Sequence, residues 1–210
     1  TTSDASPSPA AGLGTSQALQ KRVFDLFFAV LGLLATWWLI FLAWMAASID
    51  TGSNGFFIQK RVGRHGKIFH VVKMKTMRPI ASLETTVTRR GDPRITKLGA
   101  FFRRTKIDEL PQLWNVLLGD MSFVGPRPDV PGFADKLEGE EKAMLSIRPG
   151  ITGPATLKYR NEEELLAGQS DPEAYNREVI WPDKVRINLD YIRDWSLRRD
   201  LQYILETVFH

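Results

Sequence analysis

The chain has 210 residues, a hydrophobic content of 43% and a net charge of +4, which suffices for one compact domain and a membrane segment. It contains no cysteine, which excludes a disulfide scaffold, thiol catalysis and thiolate metal sites. Its three histidines (His65, His70 and His210) do not have the spacing of a zinc site.

Charge is distributed unevenly along the chain. Residues 1–106 hold sixteen Lys and Arg against five Asp and Glu, whereas residues 107–210 hold twelve against nineteen. The positive first half indicates a polyanionic partner, which could be nucleic acid, anionic lipid or a phosphorylated substrate. A solvated basic face without a partner is the alternative.

An uncharged stretch lies close to the N-terminus. Residues 1–19 are predicted to form a disordered tail, because the first sixteen are small, rich in Pro, Gly and Ser, and almost uncharged. Residues 20–50 are predicted to form a membrane helix, because the twenty-four residues from Leu26 to Ile49 carry no charge. As a helix this stretch would measure about 36 Å, against a hydrocarbon core of about 30 Å.

Basic residues flank both ends of this stretch, so its topology stays open. One arrangement is a spanning helix. The other is a re-entrant helix whose two ends face the cytoplasm, which requires a break in mid-segment, and Gly32 is the one obvious weak point there.

Residues 51–210 are predicted to form a cytoplasmic catalytic domain that begins with a β-hairpin. Two strand-like runs, FFIQKRV and IFHVVKMKTM, flank a short loop from Gly63 to Gly66. Strand alternation places Lys73 and Lys75 on the same face. A solvated sheet edge is the ordinary explanation of such a pair.

Two amphipathic helices are predicted next. The first covers Ile95 to Arg104, and the second has Pro111 in its first turn and ends at Gly119. Asp108 and Glu109 therefore lie at a helix N-terminus, where the helix dipole keeps carboxylates ionised and also attracts phosphate. A plain N-cap is the structural alternative for Asp108.

Cations and stiff turns surround these carboxylates in the sequence. Arg103, Arg104 and Arg127 could cancel the repulsion between a carboxylate and a diphosphate. Two prolines fix the backbone around Arg127, and the Gly-rich stretch from Arg148 to Gly153 is predicted as a turn whose N–H groups could cradle phosphate.

The C-terminus has an apolar stripe behind a predicted helix cap at Ser196, and this stripe has two interpretations. It can pack on the protein core, or it can lie in the membrane interface. The stripe consists of Leu197, Leu201, Ile204, Leu205 and Val208.

Several short motifs occur together in a fixed order. They are Lys21-Arg22-x-Phe24-Asp25, Gln59-x-Arg61-x-Gly63, Lys73-x-Lys75-Thr76-Met77, Asp108-Glu109-Leu110-Pro111-Gln112, the stretch from Asn115 to Pro128, and the stretch from Arg148 to Gly153. Across residues 20–155 the chain thereby resembles the bacterial sugar transferases, the monotopic phosphoglycosyl transferases that load sugar 1-phosphate onto a polyprenyl phosphate.

The resemblance implies a fold and roles for particular residues. It implies an α/β-type monotopic membrane protein with one re-entrant hydrophobic helix, a small β-hairpin and several short amphipathic helices. Asp108 becomes the nucleophile, and Glu109 helps to hold Mg²⁺. The residues assigned to substrate and phosphate binding are Arg103, Arg127, Lys73, Lys75 and Arg148. The chain departs from many relatives in one respect, because it has Ala35-Thr36-Trp37-Trp38 where they carry a proline.

The resemblance also implies a reaction and its partners. A nucleotide sugar, expected to be a UDP-sugar, gives its phosphosugar to Asp108, and polyprenyl (undecaprenyl) phosphate then accepts it, which starts the assembly of a polysaccharide or glycoprotein glycan. The expected location is the cytoplasmic face of the bacterial plasma membrane, in contact with lipid. Nucleic acid is not an expected partner, and a homodimer is left open.

Two other function classes remain open from the sequence. The first is a basic membrane-surface protein that binds anionic lipid or nucleic acid without catalysis. The second is a membrane-anchored, metal-dependent phosphohydrolase, which would release free phosphosugar without any lipid acceptor.

Overall fold

The computed structural model describes residues 12–78, 92–132 and 134–209, which are mostly helical. Within these residues the sheets are small, with two strands each. Of the predicted α/β-type architecture, the short helices, the β-hairpin and the one long apolar helix are confirmed. The re-entrant form of that helix stays a prediction. The elements are α1 (Thr15–Thr51), β1 (Phe56–Val62), β2 (Ile68–Met74), α2 (Lys97–Thr105), α3 (Gln112–Leu118), β3 (Ser122–Val124), β4 (Gly150–Thr152), α4 (Pro154–Lys158), α5 (Glu162–Ala167), α6 (Pro172–Tyr175), α7 (Trp181–Arg193) and α8 (Leu197–Phe209).

Helix α1 begins earlier than predicted. It starts at Thr15, so residues 15–19, which were predicted to belong to a disordered tail, are helical. The backbone N–H of Gly14 donates to Gln17 Oε1 at 3.0 Å, and Leu13 packs against the apolar cluster around Trp195. These contacts fix the entry to the helix. Residues 1–11 of the predicted tail lie outside the described residues.

One stripe of α1 faces the rest of the protein. Its buried residues recur at helical spacing and are Lys21, Asp25, Ala29, Ala43 and Ala47. Small side chains let neighbouring elements approach closely. A Cβ atom at Gly32 would lie only 3.1 Å from the side chain of Leu113 in α3.

The predicted β-hairpin is confirmed. Strands β1 and β2 are antiparallel, with Gln59 opposite Val71, and both start where the sequence predicts. The outer edge of β2 is covered by a side chain of α3. Asn115 accepts a hydrogen bond from the N–H of Val72 at 3.0 Å and donates one to the carbonyl of His70 at 2.8 Å. This amide therefore takes the place of a third strand and fixes α3 against β2.

The two central helices are confirmed, with a turn between them that the sequence did not predict. Thr96 caps α2 by accepting a hydrogen bond from the N–H of Gly99 at 2.8 Å, and Gly119 ends α3 with φ +92°. Asp108 and Glu109 lie in a separate 3₁₀ turn, Ile107–Glu109, and neither side chain caps α3. The turn follows Lys106, whose φ of +58° lies in the left-handed region.

The predicted Gly-rich turn after Arg148 is instead a strand. β4 pairs in parallel with β3, and the backbone groups at this junction are used by the pairing. The N–H of Gly150 donates to Pro126 O at 2.8 Å, and the N–H of Gly125 donates to Thr152 O at 2.9 Å. These N–H groups are not available to cradle phosphate. A Cβ at Gly150 would come within 2.1 Å of Gly125 N, so this close approach requires glycine.

The C-terminal part consists of α7 and α8. Helix α7 was not predicted from the sequence; its Pro182 lies in the first turn, where a proline costs little. Ser196 caps α8 by accepting a hydrogen bond from the N–H of Arg199 at 3.3 Å, as predicted. The apolar stripe of α8 divides: Leu197 and Ile204 join a core cluster, whereas Leu201, Leu205 and Val208 are exposed.

Candidate active site

The two carboxylates predicted to act in catalysis lie in the turn between α2 and α3. Asp108 is buried, with 9% of its surface exposed, and its Oδ1 has no hydrogen-bond partner among the described residues. Glu109 accepts a hydrogen bond from Lys73 Nζ at 3.1 Å, so the structure brings these two predicted residues together.

The two carboxylates have opposite pKa shifts. Burial, and then the charge of Glu109, raise the pKa of Asp108 above its ordinary value, although Lys73 opposes them. Burial alone would also raise the pKa of Glu109, but the charges of Lys73 and Arg127 outweigh it and hold this pKa below its ordinary value. At Asp108 burial, and not the helix dipole, sets the direction of the shift.

Arg103 lies beside the nucleophile candidate, as predicted. Its Nε donates to Thr76 Oγ1 at 3.0 Å, and its Nη2 lies 3.2 Å from Met77 Sδ. The charge of this guanidinium lowers the pKa of Asp108. Thr76 and Met77 follow β2, so the hairpin and α2 together aim Arg103 at the site.

Arg127 is exposed on its stiff turn, and both flanking prolines are anchored. Pro126 O accepts from the N–H of Gly150, and Pro128 O accepts from Arg61 Nη1 at 3.1 Å. The charge of Arg127 lowers the pKa of both Lys73 and Glu109. The turn therefore places the charge of a guanidinium close enough to act on Lys73 and Glu109.

Two of the predicted phosphate-binding residues lie elsewhere. Lys75 Nζ donates to Ser53 Oγ at 2.7 Å, just beyond the C-terminal end of α1. Arg148 Nε donates to Gly119 O at 2.7 Å, at the opposite end of α3 from Asp108. The structure therefore gives Arg148 a capping role. It does not bring either residue to the carboxylates.

The sequence analysis missed two residues of the site. The charge of Lys106 lowers the pKa of both Asp108 and Glu109, and its left-handed backbone separates the turn from α2. Asn115 holds α3 against the strand that carries Lys73. Asn115 lies within one of the motifs and Lys106 lies two residues before another, but side-chain type alone does not indicate their geometry.

The carboxylate pair can also be compared with the needs of Mg²⁺. Among the described residues, no group of three or more His, Cys, Asp or Glu is placed to hold a metal ion. Mg²⁺ does not require such a group, because it keeps several waters and commonly binds one or two carboxylates together with substrate phosphates. The carboxylate of Glu109, adjacent to Asp108 in the same turn, is a donor that fits an ion of that kind.

The sequence model of one family, described as bacterial sugar transferase, matches residues 16–210. The chain belongs to the bacterial sugar transferase family. The family match extends beyond residues 20–155, where the motifs lie, and it confirms the resemblance drawn from them.

Relatives in the family carry transferase names. The galactosyl transferase CpsE of Streptococcus agalactiae is 35% identical over 206 residues, covering 92% of this chain and 42% of CpsE. The UDP-glucose:undecaprenyl-phosphate glucose-1-phosphate transferase of Caulobacter vibrioides is 37% identical over 194 residues, covering 90% of this chain and 68% of that protein. The undecaprenyl-phosphate galactose phosphotransferase of Salmonella typhimurium is 32% identical over 208 residues, covering 91% and 40%. The chain thus spans less than half the length of two of these relatives.

Proposed function

We propose that this chain transfers a sugar 1-phosphate from a UDP-sugar to undecaprenyl phosphate at the membrane, the first step in assembling a glycan. The observation that carries the proposal is the pair of adjacent carboxylates with opposite pKa shifts, Asp108 and Glu109, in a turn bordered by cations. The names of the relatives from Caulobacter vibrioides and Salmonella typhimurium support undecaprenyl phosphate as the acceptor, and the first also supports a UDP-sugar donor.

In the first step, the ionised carboxylate of Asp108 attacks the phosphorus atom that bears the sugar. A bond forms between a carboxylate oxygen and this phosphorus, and the bond from phosphorus to the bridging oxygen breaks. Nucleoside monophosphate leaves with the electron pair, and Asp108 carries the phosphosugar. The unpartnered Oδ1 of Asp108 supports this role, because no described group competes for it.

In the second step, an oxygen of the polyprenyl phosphate attacks the same phosphorus. The bond to Asp108 breaks, which restores the carboxylate and yields a polyprenyl diphosphate sugar. The raised pKa of Asp108 suits the first step, because a more basic carboxylate is a better nucleophile.

The cations of the site offset the charge of the diphosphate. Arg103 and Arg127 would hold its phosphate oxygens, since fixed positive charge is most effective where water is excluded. Lys73 keeps Glu109 ionised, and Glu109 would hold Mg²⁺. When bound, the ion supplies further neutralisation of charge on the diphosphate.

The same proposal includes the cytoplasmic face of the plasma membrane, with both ends of α1 on that face, as in a re-entrant helix. Lys21 near the start of α1 forms an ion pair with Asp200, and Ala43 near its end packs against Met74 and Phe102. Contacts at both ends with one protein body support a same-sided arrangement.

A mass measurement without acceptor tests the reaction. The purified protein is mixed with Mg²⁺ and one of a panel of UDP-sugars, and both UMP release and intact mass are followed. We expect one burst of UMP and a phosphosugar adduct in the wild type, and neither in Asp108→Asn, because an amide cannot take the nucleophile's role. Asp190→Asn, which changes a half-exposed aspartate of α7, serves as the matched control.

Other outcomes would point to other functions. Continuous UMP release with free phosphosugar and no acceptor would indicate a phosphohydrolase. UMP release that requires both substrates, without an adduct, would indicate direct transfer. Salt-sensitive lipid binding with no UMP release under any condition would indicate a binding protein.

A further inference from the structure

A second set of charged residues lies close to Arg127. The charges of this set act on the pKa of Asp129, two positions after Arg127, and we call it the Asp129 cluster: Arg61 of β1, Asp129 itself, Glu162 of α5 and Lys184 of α7. The charge of Arg127 acts on Asp129 and also on the pair of Lys73 and Glu109. Arg127 therefore lies close enough to influence both the Asp129 cluster and the catalytic turn.

Backbone contacts and an ion pair hold the Asp129 cluster in place. Strand β1 fastens the turn, because Arg61 Nη1 donates to Pro128 O at 3.1 Å and the N–H of Val62 donates to Asp129 O at 2.9 Å. Lys184 Nζ donates to Glu162 Oε2 at 2.6 Å, and 22% and 29% of these two side chains are exposed. Elements from distant parts of the chain therefore meet beside Arg127.

The side chain of Asp129 has no structural contact of its own. Among the described residues, its carboxylate accepts no hydrogen bond and forms no ion pair, and the surrounding charges act on it only at a distance. Arg61 Nε, in the same cluster, is buried and also lacks a hydrogen-bond partner there. A half-buried carboxylate without a partner is unfavourable, and burial raises its pKa to about 6. A side chain that costs stability and fixes no neighbour suits a role in binding a ligand.

Asp129 and Arg127 line the same cleft. The other walls of this cleft are mostly apolar and include Val62, Pro126, Met144 and Ile147. Apolar walls with a few polar groups are typical of sites for small molecules. A sugar ring suits such a cleft, because its carbon faces are apolar and its hydroxyl groups need polar partners.

The charge balance of the Asp129 cluster differs from that of the catalytic turn. Around the catalytic turn the cations outnumber the carboxylates, with Lys73, Arg103, Lys106 and Arg127 around Asp108 and Glu109. That excess of positive charge suits a diphosphate. In the Asp129 cluster the two cations balance the two carboxylates. A neutral, hydroxyl-bearing group fits there, and nucleotide sites commonly use Asp or Glu to bind a ribose hydroxyl.

We propose that the Asp129 carboxylate accepts hydrogen bonds from ring hydroxyl groups of the donor, those of the ribose or of the transferred sugar, while Arg127 holds the adjoining diphosphate. The inference rests on the proposed function, because it takes a nucleotide sugar as the donor. Asp129 forms no bond with the reacting atoms and acts as a specificity-determining residue. Arg61 and Lys184 keep its carboxylate charged enough to accept these hydrogen bonds.

Binding of three ligands tests the proposal without turnover. Affinities are measured by titration calorimetry with Mg²⁺ in the Asp108→Asn variant, and again after Asp129→Ala is added. The ligands are pyrophosphate, which has no ring, UDP, which has the ribose, and the tightest-binding UDP-sugar of the panel, which has both rings. Asp129→Ala removes a negative charge, so pyrophosphate should bind at least as tightly as before. A ligand whose ring hydroxyls contact Asp129 should bind about 10- to 150-fold more weakly.

The pattern of losses identifies the ring. A loss that already appears with UDP assigns the ribose to Asp129, and a loss that appears only with the UDP-sugar assigns the transferred sugar; both support the proposal. Asp129→Asn keeps an acceptor oxygen and should lose less affinity than Asp129→Ala. Asp190→Asn makes the same chemical change on α7 and should leave all three affinities unchanged. If thermal melts show Asp129→Ala to be unfolded, Asp129→Asn carries the comparison.

Equal changes for all three ligands would overturn the proposal, because Asp129 would then act only through its charge. No binding of any ligand to the Asp108→Asn parent would overturn the proposal and the proposed function together. Failure of the reaction alone would appear differently, as an absent burst of UMP in the wild type with the selective loss of affinity intact. Conversely, an intact burst with equal changes would leave the reaction standing without this role for Asp129.

Discussion

Replacing Lys73 with methionine removes one positive charge from the site while keeping a side chain of similar length. Lys73 Nζ lies 3.1 Å from Glu109 Oε1, and about one fifth of each side chain is exposed, at 21% and 17%. At an effective dielectric constant of about 20, this attraction amounts to about 5 kcal/mol. The cost of burying both charges offsets most of this attraction. Replacing Lys73 should therefore cost about 1–3 kcal/mol of transition-state stabilisation.

The same change should shift the pH dependence of the reaction. Lys73 is the strongest of the charges that lower the pKa of Asp108. Without it, this pKa rises further above its ordinary value. The ionised nucleophile is present above its pKa and is lost as the pH falls through it, so the acid limb of kcat/KM should move to higher pH. At neutral pH, kcat/KM should fall about 5- to 150-fold.

The assay is UMP release across a pH series, with two control variants. Lys73→Arg keeps the charge and should leave the acid limb close to that of the wild type. Lys75→Met makes the identical chemical change two residues away, where the amino group contacts Ser53. It should lower kcat/KM less than Lys73→Met does. An acid limb that does not move in Lys73→Met, or a larger loss in Lys75→Met, would refute the reasoning.

Three further predictions concern charged residues at other positions. Arg127→Ala should lower kcat/KM by two orders of magnitude or more. Arg148→Ala should mainly lower the melting temperature, because it removes a charged hydrogen bond worth about 1.5–3 kcal/mol. A large kinetic loss in Arg148→Ala with little loss in Arg127→Ala would contradict both assignments. Burial raises the pKa of Asp129 to about 6, so Asp129→Asn should stabilise the protein by about 1–2 kcal/mol above pH 6. This gain should disappear below about pH 4, where the carboxyl group is protonated in both the folded and the unfolded protein. A gain that persists in thermal melts at acid pH would contradict this prediction. Lys21→Met should destabilise the protein by about 3–5 kcal/mol, because Asp200 then keeps a buried and unpaired charge. Adding Asp200→Leu to this variant should recover part of the lost stability. If the losses of the two single variants add in the double variant, thermal melts would argue against the ion pair.

Local patterns predicted the elements that surround the site. The hairpin, α2 and α3 follow from alternation, helical spacing and the stop at Gly119, all of which depend on residues close in sequence. The presentation of Arg127 also follows locally, since two prolines fix the backbone on either side of it. These features were predictable because few competing conformations exist for such segments.

Features that depend on distant contacts were not predictable. The strand after Arg148 exists only because Gly125 and Gly150 approach each other from distant parts of the chain. The raised pKa of Asp108 results from burial that helix position does not reveal. Lysine rarely adopts a left-handed backbone, so nothing in the sequence marks Lys106 as the residue that separates α2 from the catalytic turn.

The buried ion pair between Lys21 and Asp200 has a consequence for biosynthesis. The Lys21 ammonium reaches Asp200 at 2.5 Å across 179 positions of sequence, and Tyr191 and Trp195 donate hydrogen bonds to the same carboxylate. At 5–20 residues per second, the ribosome would need roughly 9–36 s to supply this partner after Lys21 is made. During that time the start of α1 lacks this ion pair, although its contacts with α2, α3 and β2 are already available. A chain that stopped before Asp200 would retain every proposed catalytic residue and still lack the contact that fastens the start of α1.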